Sequence, residues 1–242
     1  GDITIYKRSI PKGAWRPIVY DLVRPIRLIL PLAIVAAPLF ALLGSISYAL
    51  RDVGKDTILL AVDKAIFGSI PFIDWPTRAS WIVTDRLFLW SYFSLGIVMS
   101  ITLAILFMTS RTEYRKAVLA FILSLALAYP IFSSVPCQDP SNYFIQNLRG
   151  NTFTPEMQHA LDAYNPSPIV QEKAVEIAEA ETDTPNDNAV PVSCFPSMHA
   201  TWSLLVVFYL ARRRKWTLFA SIPWALLLMG GGIYLAQHYV ID

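Results

Sequence analysis

Charge is the commodity this sequence has least of. Only 16% of its 242 residues are Asp, Glu, Lys or Arg, against about 25% in a typical soluble domain. The mean hydropathy is correspondingly positive at +0.45, which excludes an ordinary charge-coated globule. Cysteine is nearly absent: Cys137 and Cys194 are the only two, too few for a disulfide framework or a cysteine-rich metal centre. There is no glycine-rich nucleotide loop and no internal repeat. The first residues lack the basic, apolar and small-residue succession of a cleaved signal peptide, and Gly1 in place of Met reads as a processing scar. Histidine occurs three times, at 159, 199 and 238.

What fills the chain is apolar. Five runs approach the ~20 residues a helix needs to cross a bilayer: 26–49, 88–108, 117–135, 196–211 and 216–235. The last is followed by "AQHYVID", which reads as the start of a sixth helix, with a parent chain continuing past Asp242. Prolines inside the first run are compatible with a membrane helix when neighbours satisfy the freed carbonyls. Gly230-Gly231-Gly232 lies within an apolar run and reads as a close helix-packing surface rather than a phosphate loop.

The few charges are distributed unevenly. Lys7, Arg8, Lys12, Arg16, Arg24 and Arg27 precede the first run; Arg111, Arg115 and Lys116 join the second to the third; Arg212 to Lys215 join the fourth to the fifth. These fall on one membrane face, which the positive-inside rule makes cytoplasmic. The loop 136–195, with nine acidic residues, falls on the other, as does the loop 51–87 with Trp75 and Trp81 as interfacial anchors. Helical patterns starting at Pro155 and Pro168 are expected inside the acidic loop. A short amphipathic helix is expected over 56–70. The expected architecture is an all-α polytopic membrane protein. Residues 1–25 form a basic cytoplasmic or interfacial segment, and residues 26–242 a transmembrane domain carrying the external loop 136–195.

This topology brings two histidines to one face. His199 opens the fourth helix and His238 follows the fifth, 39 residues later. Asp242 comes four residues after His238, on the same side if that segment is helical. A carboxylate accepting one ring N–H leaves the other nitrogen basic, as an activated histidine nucleophile or base requires. Pro196 and Ser197 sit at a helix start, where free N–H groups and the positive helix end favour an anion. A polar residue at a membrane boundary is the plainer account of either histidine alone. Their matched depth and the carboxylate beside one of them favour chemistry. His159, in the acidic loop, reads as exposed and uninvolved.

"PSMHA", residues 196–200, resembles the second motif of the type 2 phosphatidic acid phosphatase (PAP2) superfamily, and "QHYVID", residues 237–242, resembles the third. The resemblance implies a six-helix bundle in which His238 attacks phosphorus to form a phosphohistidine. Asp242 would orient it, and His199 would protonate the leaving group and then activate the acceptor. It implies no metal and no cofactor. A site built from His199, His238 and Asp242 has acceptable ligands, but no further ligand clusters with them in sequence.

Two departures point to the substrate. Lipid phosphatases of the superfamily carry a motif KxxxxxxRP, which has no external counterpart here, and an arginine six residues before the nucleophile, where this chain has Gly232. In place of the former stands "YPIFSSVPCQDPSNYF", residues 129–144, similar to the inositol phosphorylceramide synthase and sphingomyelin synthase branch; Gln138 and Asn142 are its candidate substrate contacts. A phosphate monoester carries about −1.5 to −2 charges at neutral pH, and a diester about one. Fewer cations therefore favour a diester donor and transfer of a lipid headgroup to an alcohol. Arg149, Arg78 and Arg86 are external and offer a replacement cation, which keeps hydrolysis of a lipid monoester open. A non-catalytic lipid-binding or transport protein on the same fold is a third reading. A membrane lipid and an alcohol acceptor are the expected partners, with no role for nucleic acid. The expected location is a plasma or endomembrane, with the site on the non-cytoplasmic side. Cys137 and Cys194 are both external, and an oxidising compartment would permit a bridge between them.

Overall fold

The computed structural model describes residues 56–148, 153–182 and 194–242. The first apolar run, 26–49, and Arg149 lie outside the described residues. All regular structure among the described residues is helical. In chain order the helices are α1 Asp56–Phe67, α2 Pro71–Ala79, α3 Ile82–Phe93, α4 Leu95–Thr109, α5 Arg111–Ser134, α6 Ser141–Leu148, α7 Pro155–Asp162, α8 Pro168–Thr182, α9 Met198–Arg213 and α10 Leu218–Tyr234.

Among the described residues, Arg111–Ser134 and Lys215–Tyr234 are long and apolar enough to cross a membrane. The pair α3 and α4 is a third candidate span if its 49° bend lies within one crossing. The bend falls at Ser94 and has an identifiable cause. Ser91 Oγ donates to the Leu87 carbonyl and Ser94 Oγ to the Ser91 carbonyl, side-chain bonds that compete with the helical ladder and bend it. Trp224 Nε1 then donates to Ser94 Oγ at 2.8 Å, locking α10 to the bend. α9, with 16 residues, is only about 24 Å long and does not by itself reach across.

α5 begins with a side-chain cap. Ser110 accepts the Glu113 N–H, and Glu113 also receives Arg212 Nε from the far end of α9 at 3.1 Å. The basic ends of α5 and α9 therefore share one end of the bundle, as the charge pattern predicts. α9 and α10 form an antiparallel hairpin through the turn Lys215–Thr217 and pack along each other. Large side chains such as Trp90, Leu127 and Phe219 point outward and are well exposed, a surface suited to lipid rather than water.

At the opposite end a cap covers the bundle. Phe72, Ile73, Cys137, Phe144, Met157, Leu161, Cys194, Ile233, Ala236 and Tyr239 share one core, drawn from α1, α2, α6, α7 and the turns around α9 and α10. α7 and α8 start at Pro155 and Pro168 as the sequence predicts, with Thr154 capping α7 by accepting the Met157 N–H. Val170 anchors α8 against Leu89, Tyr92 and Tyr234.

The expected sixth helix does not begin at residue 235. α10 closes there in a Schellman arrangement: the Gln237 N–H reaches the Gly232 carbonyl at 2.8 Å and the Ala236 N–H reaches Ile233 at 3.0 Å. Ala236 takes the left-handed conformation this closure demands, with φ 55°, a place usually given to glycine. Turns fill the rest of the chain to Asp242.

Candidate active site

His199 is the second residue of α9. The helix begins two residues later than the proline suggests: Ser197 is the N-cap, its Oγ accepting the Ala200 N–H at 3.2 Å, and Pro196 precedes the cap. Ser197 is buried, so its hydroxyl is committed to ordering the turn that presents His199.

His238 arrives from the other side, placed by the Schellman turn. Its N–H also bonds to the Gly232 carbonyl at 3.2 Å. His238 Nε2 and His199 Nδ1 lie 3.4 Å apart. On the opposite edge of the ring, His238 Nδ1 is 3.1 Å from Asp242 Oδ2. The expected pairing of His238 with Asp242 is present, but the helix expected to create it is not. The Tyr239 N–H donates to the same Oδ2 at 3.1 Å, so a tight turn folds the carboxylate back on the ring. With Nδ1–H held by a buried carboxylate, the Nε2 lone pair faces His199.

Tyr92 of α3 stacks on the His199 ring, with centroids 4.5 Å apart and planes 20° from parallel. This close approach of α3 is possible because α10 has no side chains there. A Cβ on Gly230 would meet Phe88 Cε1 at 2.9 Å, and one on Gly231 the Phe88 carbonyl oxygen at 2.8 Å. A Cβ on Gly232 would meet His238 Cδ2 at 2.9 Å and Tyr92 Cε2 at 3.5 Å. The glycine run is the packing surface the sequence predicts, and its last member also makes room for the histidine.

Several residues that shape the site escaped the sequence reading. Asp63, 1% exposed, accepts the Val240 N–H at 2.8 Å and the Ile241 N–H at 3.1 Å. Asp56, two turns earlier on the same helical face, accepts the Gln138 N–H at 2.7 Å and the Tyr239 hydroxyl at 3.2 Å. Burial pushes both carboxyls above their ordinary value, against the opposing pull of these N–H donors. An i, i+7 pair of acids on an amphipathic helix reads as a solvated face, and only the tertiary fold shows that it is the inner one. Cys194 Sγ donates to Asp242 Oδ2 at 2.8 Å. Burial pushes this thiol well above its usual range. Cys137 and Cys194 are both free and buried, with no disulfide between them, and the Cys194 N–H reaches the Cys137 carbonyl at 3.4 Å.

The candidate substrate contacts fare unevenly. Asn142 is buried, and its amide is engaged with the Asp139 carbonyl at 3.2 Å. That bond holds the turn after Cys137. Gln138 is half-buried and tied by its backbone to Asp56. Arg78 is turned outward and pairs with Asp74 across one helical turn at 3.7 Å, and Arg86 is exposed on α3. Neither guanidinium touches either histidine. His159 is exposed on α7, as expected.

A helical membrane protein whose capped end holds a His–His–Asp constellation on a strained turn is the class that fold and site define. The PAP2 superfamily model matches residues 57–242, most of the chain and all of this site. The chain belongs to the PAP2 superfamily. Comparisons with curated proteins and with solved structures give no match. Members of the superfamily are in general phosphatases or phosphotransferases acting on lipid phosphates, and that is the activity class that membership suggests.

Proposed function

We propose that this protein transfers a phospho-headgroup from a membrane phosphodiester lipid to an alcohol, in the manner of the inositol phosphorylceramide synthase branch. The observation that carries the reading is the contact of Gly232 with His238. The position where lipid phosphatases of the superfamily keep a phosphate-binding arginine has a Cβ direction that runs into the His238 ring at 2.9 Å. No arginine fits there while that ring holds its place, and neither Arg78 nor Arg86 reaches the histidines. A site with so little positive charge suits the single charge of a diester better than the near-double charge of a monoester.

In the proposed cycle, the phosphodiester enters from the bilayer and its phosphorus takes the place against which His199 Nδ1 now rests. His238 Nε2 donates its lone pair to phosphorus. The bond from phosphorus to the lipid oxygen breaks, and His199 delivers a proton to that oxygen. As Nε2 bonds to phosphorus the ring becomes cationic, and Asp242 stabilises it through Nδ1–H. The acceptor hydroxyl then gives its proton to His199, its oxygen attacks phosphorus, and the P–N bond breaks to regenerate His238. Tyr92 holds the His199 plane through both halves.

The charge pattern supports placing this end of the bundle on the non-cytoplasmic side, with residues 1–25 inside and 26–242 as the membrane domain. The apolar runs of the sequence suggest five crossings, with 26–49 as the first, although α9 alone is shorter than a full span. Hydrolysis is the same cycle with water as acceptor; the exposed Arg78 and Arg86 on the capped end favour it only if the cap moves. The deciding experiment is turnover of a labelled phosphodiester lipid in mixed micelles, with a graded series of alcohols. Headgroup transfer that outcompetes hydrolysis is expected. Hydrolysis alone at saturating alcohol, or a preference for monoester lipids, would overturn the assignment.

A further inference from the structure

A carboxylate, a thiol and an imidazole cluster behind the His238 ring, with a second carboxylate, Asp242, beside two of them. Oxygen of Asp139, sulfur of Cys194 and a ring nitrogen of His238 lie within 4.8 Å of one another. Cys194 Sγ is 3.8 Å from His238 Nδ1, and Asp242 Oδ2 sits 2.8 Å from that sulfur and 3.1 Å from that nitrogen. Tetrahedral zinc with ligands at about 2.0–2.3 Å sets neighbouring donors about 3.5 Å apart, a spacing that the 2.8, 3.1 and 3.8 Å separations among Cys194, Asp242 and His238 bracket.

A second feature at the same place asks for a ligand. Asp242 has 2% of its side chain exposed. Its Oδ1 is buried with no hydrogen-bond partner among the described residues. A buried carboxylate oxygen is rarely left without one. Its neighbour Oδ2 already takes the Tyr239 N–H, the Cys194 thiol and the His238 ring.

We infer that Asp139, Cys194, His238 and Asp242 form an inhibitory site for a thiophilic divalent cation, with zinc the ion that fits. The donor set decides the ion. One sulfur, one imidazole nitrogen and carboxylate oxygens suit zinc, whereas magnesium and calcium take oxygen alone. The ion enters on Nδ1, the nitrogen that faces Asp242 and not the one that faces His199. Binding releases the Cys194 thiol proton to solvent and forms a metal–sulfur bond. Nδ1 gives its lone pair to the metal, so the single proton of the neutral ring resides on Nε2. Nε2 then has no lone pair for phosphorus, and the nucleophile is switched off without being blocked. That consequence rests on the proposed role of His238; the binding itself does not.

The test uses the full chain in detergent, stripped with chelator and titrated with Co²⁺ as a spectroscopic stand-in. One equivalent is expected to bind with a thiolate-to-cobalt charge-transfer band in the near ultraviolet and the visible bands of a four-coordinate ion, all displaced by Zn²⁺. Cys194→Ser is expected to lose the charge-transfer band and bind at least tenfold more weakly, while Cys137→Ser keeps the band. Turnover of the labelled lipid is expected to fall as the zinc site fills and to return with chelator, with Mg²⁺ inert. Cobalt bound by the wild-type protein without a thiolate band overturns the site, and so does a band that survives Cys194→Ser. A filled site with undiminished turnover overturns the inhibition. A thiolate-ligated site in a protein that transfers no headgroup would leave the site standing and sink the proposed function instead.

Discussion

Asp63 lies 177 residues before Val240 in the chain, yet its carboxylate closes on the Val240 N–H at 2.8 Å and on the next N–H, of Ile241, at 3.1 Å. The turn between His238 and Asp242 is thereby fastened to α1 from outside. A five-residue turn with no helical ladder has little of its own to hold two side chains in register. Here the register comes from a buried carboxylate on a helix that touches neither reacting group.

Asp63→Ala leaves the Val240 and Ile241 N–H groups without acceptors, a loss of at most about 2–6 kcal/mol at about 1–3 kcal/mol for each unsatisfied group. The loss is local to the turn. Turnover is therefore expected to fall at least tenfold while the helical circular dichroism of the detergent-solubilised protein is unchanged. Asp63→Asn, which keeps one acceptor oxygen, should recover part of it. Equal activity in wild type and Asp63→Ala would remove the turn's dependence on α1.

The same carboxyls give stability and activity opposite responses to acid. Burial raises Asp56 and Asp63 above their ordinary value of 3.8. Between 3.8 and the raised value, the native protein holds protons that the unfolded chain has released, so stability falls as pH rises through that window. Below 3.8 both states are protonated, the stability gain is fully present, and it no longer changes with pH. Activity runs the other way. Each Asp63 oxygen faces an N–H, and protonating either one sets a donor against a donor. As pH falls through the raised value, turnover should drop while thermal stability gains. The acid limb should move to lower pH in Asp63→Asn, and a limb unmoved by that change would separate it from Asp63.

Much of this was visible in the sequence. "PSMHA" and "QHYVID" name both histidines and the aspartate, and charge alternation puts the ends of α5 and α9 together, as the Arg212–Glu113 contact shows. Helix starts at Pro155 and Pro168 were legible because proline marks a first turn whatever surrounds it. The geometry of residues 235–242 was not. HxxxD has helical spacing, and nothing local announces that Ala236 turns left-handed, because its reason is the tertiary closure over Gly232. Asp56 and Asp63 were illegible for a related reason: which face of an amphipathic helix is buried depends on what packs on it. The placement of the cations was not legible either, because being external does not say which partner an arginine takes, as Arg78 takes Asp74.

Gly232→Ala tests the space beside the nucleophile. Its Cβ would stand 2.9 Å from His238 Cδ2, closer than van der Waals contact allows, and the ring must tilt away from His199. Activity is expected to fall at least tenfold, with no gain in monoester hydrolysis. Gly96 in α4 is the control, since a Cβ there meets nothing within 4 Å. Gly96→Ala should leave activity intact and add about 0.5–1 kcal/mol of helix stability. Full activity in Gly232→Ala would show that His238 has room to spare.

The two histidines can be separated by the leaving group. An ordinary lipid alkoxide is a poor leaving group and needs the proton from His199, a contribution of about 10²–10⁴ in rate. An aryl-substituted phosphodiester leaves readily without one. With that substrate, His199→Ala should still let His238 Nε2 attack, but no base would then activate the acceptor. A phosphohistidine is expected to accumulate, seen as a burst of aryl alcohol equal to one per protein and as an acid-labile, base-stable phosphoprotein. His238→Ala should show neither burst nor label with any substrate, in a protein that remains folded. A label trapped in His238→Ala would move the nucleophile elsewhere. A burst absent from His199→Ala would assign His199 a part in the first step that proton delivery does not explain.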